Sequence, residues 1–145
     1  MIDLKNLTIE KAHRGFKNGE YTCRELTEAY LGIIRDKNKE LNAYLEVFDD
    51  VLTQAAEADK RFKAGKAELL TGIPIAIKDN ILFQGHTASA GSKILENYTA
   101  SYDAFVIKKL KEAGAIILGR TNMDEFAMGS STQTSAYGVS RNPYD

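Results

Sequence analysis

The residues best suited to chemistry are a lysine, an acid and an amide that follow a short apolar run. Residues 72–77 read Gly-Ile-Pro-Ile-Ala-Ile, and Lys78, Asp79 and Asn80 come directly after them. The run has the length of a buried strand, and Pro74 fits its first residue or an edge because proline has no N–H to donate. Lys78 is therefore predicted to lie where the strand leaves the core, at a position where a lysine is almost never buried without a partner.

Two roles for Lys78 are compatible with this position. It can pair with Asp79 or another acid and stay charged, which is the common outcome for a lysine at the rim of a core. It can instead act as a base if its pKa falls from about 10.4 to roughly 7–8. Desolvation by a wall of Ile75, Ile77 and Ile81 would favour that fall. Spacing alone leaves both roles open and favours the ion pair.

A second polar segment offers hydroxyl groups without a histidine to activate them. Residues 129–137 are almost all Gly, Ser, Thr, Gln and Ala, and the hydroxyls include those of Ser130, Ser131, Thr132 and Ser135. No histidine follows them in this sequence, so a Ser-His-Asp arrangement is not predicted. His13 and His86 are far apart and have no cysteine or second histidine at metal-ligand spacing, so no metal site is predicted. Lys78 is thus the one well-placed base for a serine nucleophile.

The elements before this region are predicted to form a mainly helical layer. A helix over residues 8–18 is capped by Thr8 and ended by Gly19, and a capping box at Thr22 opens a second helix that runs to about Asn38. A short strand is predicted over 43–48. A third helix then starts at Asp49 or Asp50 and stops at Gly65.

The chain from Leu69 onward has the pattern of an α/β sheet. A strand over 72–77, a helix capped by Asp103 and a buried strand over 115–118 form a βαβ unit, which predicts parallel strands. Residues 1–68 are therefore expected to form a helical layer, and residues 69–145 the start of an α/β core within the same domain. The chain ends in a turn, so the C-terminal remainder of that domain is expected to be absent.

Composition indicates an ordinary globular protein. The chain has 145 residues, 43% of them hydrophobic and 27% charged, and its net charge is −1. Because the basic residues are dispersed, no nucleic-acid-binding surface is predicted. Cys23 is the only cysteine, which fits a reducing compartment. No run approaches the ~20 apolar residues that span a bilayer, and a cytoplasmic location without membrane contact is expected.

Two segments resemble those of the amidase signature family. The residues 72–80 are similar to the family's lysine segment, and 119–132 are similar to a second segment, with Gly-Arg-Thr-Asn-Met-Asp-Glu-Phe-Ala-Met-Gly-Ser-Ser-Thr. Within the family, residues 122–129 and 135–143 are most similar to the A subunits of aspartyl/glutamyl-tRNA amidotransferases. The resemblance extends over the whole chain. It implies a truncated amidase signature fold, with helices followed by a mixed, largely parallel sheet.

The resemblance also implies roles for individual residues. The family uses a Ser–cis-Ser–Lys triad, and Lys78 matches its lysine. Both triad serines belong to a run that would follow Asp145, so neither Ser130 nor Ser131 is assigned as the nucleophile. Met128, Gly129 and Ser130 would line the substrate side of the site. This chain alone is therefore expected to be inactive, because two of the three catalytic side chains are missing.

Partners and cofactors are implied in the same way. The complete enzyme would release ammonia from glutamine, and the B and C subunits of the amidotransferase would be its partners. The partner subunit would use ATP and Mg²⁺ to convert Glu-tRNA(Gln) or Asp-tRNA(Asn) to the amide, with no cofactor and no tRNA contact in this chain. Two alternatives stay open: a stand-alone amidase acting on another small amide, and a non-enzymatic binding or assembly module.

Overall fold

A three-stranded mixed sheet forms the centre of the protein, whose computed structural model describes residues 2–144. The strands are β1 (Tyr44–Val47), β2 (Pro74–Lys78) and β3 (Ile116–Thr121), and their order in the sheet is β1-β3-β2. β2 pairs with β3 in parallel, and β1 pairs with β3 in antiparallel fashion. The predicted βαβ unit and the α/β class are thereby confirmed. β1, from the mainly helical first part of the chain, completes the sheet.

The middle strand, β3, is buried because it has neighbours on both edges and apolar side chains on both faces. Ile116, Ile117 and Leu118 are all buried. Gly119 follows them at the closest approach to β1, where a Cβ atom would collide with the carbonyl oxygen of Glu46. This glycine therefore allows the two strands to pair up to the point where polar residues begin.

Within residues 2–144, the strand that ends at Lys78 lies at an edge of the sheet and is only partly buried, and its partial burial corrects the prediction of a buried strand. β2 begins at Pro74, as predicted, and is covered mainly on one face. Ile77 is buried, whereas Ala76 and Lys78 are exposed. The prediction is wrong because a run of small and branched residues does not reveal how many faces of a strand are covered.

Residues 2–144 contain four α-helices, and the first two start as the sequence predicts. They are α1 (Ile9–Asn18), α2 (Cys23–Leu41), α3 (Val51–Lys63) and α4 (Phe105–Glu112). The hydroxyl of Thr8 accepts the N–H of Lys11 at the start of α1. Thr22 and Glu25 form both hydrogen bonds of a capping box at the start of α2. Among residues 2–144, no helix is both long and apolar enough to cross a membrane.

The predicted cap of the fourth helix is wrong. The residue before α4 is Ala104, and the helix has no side-chain cap. The carboxylate of Asp103 instead accepts the N–H of Gln84 at 2.8 Å and pairs with Lys111 at 2.6 Å. Asp103 therefore fastens the loop after β2 to the helix, a long-range role that local sequence does not show.

The main core lies between the helices and the sheet. Its buried members come from α2, α3, α4, β2, β3 and the loops beside them: Cys23, Phe48, Val51, Ala55, Ala58, Ile77, Phe83, Ile107, Ile116, Ile117 and Leu118. Burial raises the pKa of the Cys23 thiol far above its ordinary value, and the carboxylate of Asp59 adds to the shift. The core covers the middle of β3 on both faces, and the polar segments described next lie at the ends of β2 and β3.

Candidate active site

Lys78 is the last residue of β2, and the surrounding backbone fixes its position. Its partner in the sheet is Thr121, the last residue of β3. The N–H of Asp79 donates to the carbonyl of Thr121 at 3.1 Å, and the hydroxyl of Thr121 donates to the carbonyl of Ile77 at 3.2 Å. The carboxyl ends of neighbouring parallel strands are where ligands bind in open α/β sheets. Lys78 thus has the position of a site residue.

Two of the three residues predicted to form a hydrophobic wall around Lys78, Ile75 and Ile77, do not lie on its face of the strand. Successive side chains of a strand point to opposite faces. Ile75 and Ile77 share one face of β2, and Lys78 lies on the other, where its side chain is exposed. Ile77 contributes to the core, and neither of these two isoleucines lies on the side of the strand where the lysine is exposed.

The acid next to Lys78 is buried and is already fully paired. Asp79 is 1% exposed. One of its carboxylate oxygens accepts the N–H of Ser89 at 3.2 Å and a guanidinium N–H of Arg120 at 2.6 Å. The other accepts the hydroxyl of Ser89 at 2.5 Å and the N–H of Gly91 at 2.9 Å. The expected Lys78–Asp79 ion pair is therefore wrong, because four other donors occupy this carboxylate.

Arg120 connects Asp79 to the far edge of the sheet. It lies in β3, and its Nε also donates to the carboxylate of Glu46 in β1 at 2.8 Å. Burial alone would lower the pKa of Arg120, but the hydrogen bonds and charges of Glu46 and Asp79 outweigh burial and raise it. The guanidinium therefore remains charged and joins the ends of all three strands.

A second buried carboxylate organises the hydroxyl-rich segment. Asp124 is 5% exposed and accepts the N–H groups of Ser131, Thr132 and Thr134 at 2.8–3.2 Å, together with the Thr134 hydroxyl at 2.9 Å. These hydrogen bonds, first among them that from the Thr132 N–H, lower the pKa of Asp124. The segment is thus a loop folded around one carboxylate, and its hydroxyls are not arranged as a triad.

The residues predicted to line the substrate side lie at the outer surface of this loop. Met128 is 79% exposed, and Gly129 and Ser130 are also exposed. The preceding residues, Phe126 and Ala127, have φ angles of 51° and 61° in the left-handed region. Non-glycine residues in this conformation cost about 1–3 kcal/mol each and cluster at functional sites. Their presence just before Met128 is consistent with a functional loop, and the substrate role of these residues stays a prediction.

The turn at residues 89–91 brings the two segments to the same edge of the sheet. The N–H of Ala90 donates to the carbonyl of Asp79 at 3.1 Å, and the carbonyl of Ala90 accepts the N–H of Phe126 at 2.8 Å. The carbonyl of Gly91 accepts the N–H of Ala136 at 2.8 Å. Through this turn, the backbone next to Lys78 is two hydrogen bonds away from the loop that carries Met128.

Sequence reasoning misses this supporting layer. It predicts Asp79 as a partner of Lys78 and assigns no role to Arg120 or Asp124. It also assigns no role to Ser89 and Gly91, whose N–H groups both donate to the carboxylate of Asp79. A polar residue directly after an apolar strand, followed by a Ser-Ala-Gly turn, is the signal that would have indicated a buried anchor.

Comparison with known proteins agrees with this architecture. A family model described as Amidase matches residues 25–145. The chain belongs to the amidase family. The A subunit of the glutamyl-tRNA(Gln) amidotransferase of Granulibacter bethesdensis is 46% identical over 99% of this chain. The chain covers 29% of that relative's length, so it spans about a third or less of the curated relatives it matches.

Solved amidase structures share the fold across nearly the whole chain. The peptide amidase of Stenotrophomonas maltophilia superposes with a TM-score of 0.89 at 33% identity, over 99% of this chain and 31% of that one. The A subunit of a glutamyl-tRNA(Gln) amidotransferase from Thermotoga maritima superposes with a TM-score of 0.78 at 40% identity, over 100% of this chain and 29% of that one. These matches confirm the amidase fold of this chain.

Proposed function

We propose that this amidase chain is the N-terminal part of the A subunit of an amidotransferase, and that the full-length subunit releases ammonia from glutamine. The observation that carries the proposal is the position of Lys78. It lies at the carboxyl ends of two parallel strands and forms no ion pair with the carboxylates of residues 2–144. The 46% identity to a protein named as an amidotransferase supports the choice of reaction.

In the proposed mechanism, Lys78 in its neutral form is the base of a Ser–Ser–Lys triad. A serine oxygen from the rest of the full-length protein attacks the carboxamide carbon of glutamine, and its proton passes through a bridging serine to Lys78. The C–N bond breaks, and the nitrogen leaves as ammonia after taking that proton. Water then hydrolyses the acyl-enzyme to glutamate and restores the serine. Met128, Gly129 and Ser130 face the bound substrate.

The released ammonia is consumed outside this chain. The B and C subunits of the amidotransferase are the proposed partners in the cytoplasm, and the partner subunit binds the misacylated tRNA, ATP and Mg²⁺. No cofactor is assigned to this chain. The balanced charge of the sequence, with 19 basic and 20 acidic residues, supports leaving tRNA recognition to the partner.

The direct test is ammonia release from glutamine. The full-length protein purified with its partners should release ammonia, whereas residues 1–145 alone should release none because they lack both triad serines. Measurable glutaminase activity of the 145-residue chain would contradict the proposed division of the triad. Failure of the full-length protein to co-purify with a second, different subunit would contradict the proposed assembly.

A stand-alone amidase is the second candidate, and one observation favours it. The peptide amidase structure superposes more closely than that of the amidotransferase, with TM-scores of 0.89 and 0.78. The full-length protein should be assayed in parallel on glutamine and on a peptide amide, each with and without partner subunits. Partner-independent turnover of the peptide amide that exceeds turnover of glutamine would favour the second candidate.

A further inference from the structure

We propose that Asp79 and Arg120 are positioning residues for Lys78, an inference that rests on the proposed function. The pair connects the three strands at the edge of the sheet where Lys78 lies. Asp79 directly follows β2, Arg120 belongs to β3, and Glu46 belongs to β1. Glu46 and Arg120 are also partners in the strand register. The three charged side chains therefore fix the relative positions of all three strand ends.

The first contribution of the pair is to fix the backbone of Lys78. The Asp79 carboxylate holds the turn at 89–91 through Ser89 and Gly91, and the N–H of Ala90 in that turn donates to the Asp79 carbonyl. On the other side, the carbonyl of Lys78 accepts the N–H of Ile81 at 2.9 Å. The peptide units that follow Lys78 and Asp79 are thus held, which limits where the lysine side chain can begin.

The second contribution is to keep the lysine free of its neighbouring acid. A carboxylate next to a lysine in sequence is an obvious ion-pair partner, and a lysine held in such a pair does not accept a proton. Both carboxylate oxygens of Asp79 accept hydrogen bonds, four in total. Because side chains alternate along a strand, the Asp79 side chain points away from the face of β2 that carries Lys78. The structure therefore separates a charged anchor from the proposed base at adjacent positions.

A role in positioning also explains why an ion pair is retained in this place. A buried ion pair is often no more stabilising than an apolar pair of similar volume. The Asp79–Arg120 pair is almost completely buried, with side-chain exposures of 0% and 12%. Its geometry, with one guanidinium joined to two carboxylates, specifies a single arrangement of the strand ends, which a pair of apolar side chains would not do.

The experiment compares three variants of the full-length protein, assayed for ammonia release from glutamine. Asp79→Asn removes the charge that Arg120 pairs with, and Arg120→Lys keeps the positive charge but can reach only one of the two carboxylates. The matched control is Asp59→Asn. Asp59 also holds backbone, accepting the N–H groups of Cys23 and Arg24 at 2.8 and 3.3 Å, but these lie at the start of α2.

The expected result is a selective loss of kcat. Asp79→Asn should lower kcat by about 10²-fold with KM little changed, which is the size of effect expected from a misplacement of about 1 Å. Arg120→Lys should lower kcat less, and Asp59→Asn should leave kcat unchanged. Introduced into a Lys78→Ala background, Asp79→Asn should cause no further loss, since a positioning residue acts only through the group it positions.

Other outcomes would contradict either the positioning role of Asp79 and Arg120 or the proposed function. Equal kcat values for the unchanged protein, Asp79→Asn and Arg120→Lys would overturn the positioning role, as would equal losses in Asp79→Asn and Asp59→Asn. If Asp79→Asn does not fold, a folded Arg120→Lys variant with unchanged kcat overturns the role. Near-normal kcat in Lys78→Ala would instead refute the proposed function itself, and the inference with it.

Discussion

The turn at residues 89–91 depends on Gly91, and replacing this glycine with alanine tests whether the turn connects Lys78 to the loop that carries Met128. Gly91 has a φ of +67°. Its N–H donates to Asp79, and its carbonyl accepts the N–H of Ala136. A Cβ atom at this position would lie 2.6 Å from the backbone carbonyl oxygen of Met123. Because that oxygen belongs to the backbone, no flexible side chain can move away to make room.

Two costs can be assigned to Gly91→Ala from this geometry. The left-handed conformation costs an alanine about 1–2 kcal/mol, and overpacking against fixed atoms costs about 1–3 kcal/mol more. Gly85 provides the matched control, since its φ is +85° but no atom lies within 4 Å of its Cβ position. Gly85→Ala should therefore show the conformational cost alone, and the difference between the two variants should equal the cost of crowding.

Urea unfolding of both full-length variants and of the unchanged protein is monitored by circular dichroism. The kcat for glutamine is measured on each of the three proteins. Gly91→Ala should be the less stable by about 1–3 kcal/mol and should lose kcat, because the turn connects Lys78 to the loop that carries Met128. Equal destabilisation by the two substitutions would refute the close packing of this turn. A destabilised Gly91→Ala variant with unchanged kcat would refute its connection to the site.

Two further predictions concern the neighbouring segments. Hydrogen bonds, of which the one from the Thr132 N–H has the largest effect, lower the pKa of Asp124 below its ordinary value of 3.8. The ionised carboxylate therefore stabilises the fold above that pH, and this stabilisation is lost as the pH falls through the lowered pKa. Asp124→Asn should therefore be less stable than the unchanged protein near neutral pH, and a gap in urea midpoints that stays constant below pH 3.8 would contradict this. Gly119→Ala should destabilise by about 1–3 kcal/mol through collision with the Glu46 carbonyl. The control Gly32→Ala, in the open interior of a helix, should stabilise by roughly 0.5–1 kcal/mol, so equal urea midpoints for the two variants would refute the close strand contact.

Features that depend on neighbouring residues were predictable from the sequence. The caps at Thr8 and Thr22 are satisfied within three residues, and both form as expected. The buried strand predicted over 115–118 forms at Ile116–Thr121, one residue later at its start and three residues longer at its end. Local propensity and tertiary packing favour the same structure in these places.

Features that depend on distant partners were not predictable. Asp79 is paired with Arg120, which is 41 residues away, and no local pattern distinguishes that pairing from one with Lys78. Asp103 was expected to cap a helix, but its carboxylate accepts the N–H of Gln84 and forms an ion pair with Lys111 instead. A carboxylate in a loop has several donors within reach, and the fold decides which of them it meets.

The sequence located the candidate base but not its surroundings. Lys78 is at the end of β2 as predicted, because proline at the start and a charge at the end delimit the strand. The exposure of the Lys78 side chain was not predicted, because Ile75 and Ile77 were expected to surround it. The twofold alternation of a strand places these two isoleucines on the other face. The comparisons confirm the family resemblance, and the role of Lys78 as a base, which that resemblance implies and spacing left open, stays a prediction.

The most direct test of the proposed mechanism is the rate of ammonia release from glutamine by the full-length Lys78→Ala variant. Lys93→Ala, which removes another exposed lysine, serves as the control. Loss of a general base predicts a fall of about 10²–10⁴-fold in kcat. Both variants should keep the circular dichroism spectrum of the unchanged protein, so that a loss of turnover reports on the chemistry and not on folding. Near-normal turnover in a correctly folded Lys78→Ala variant would contradict the assignment of Lys78 as the base.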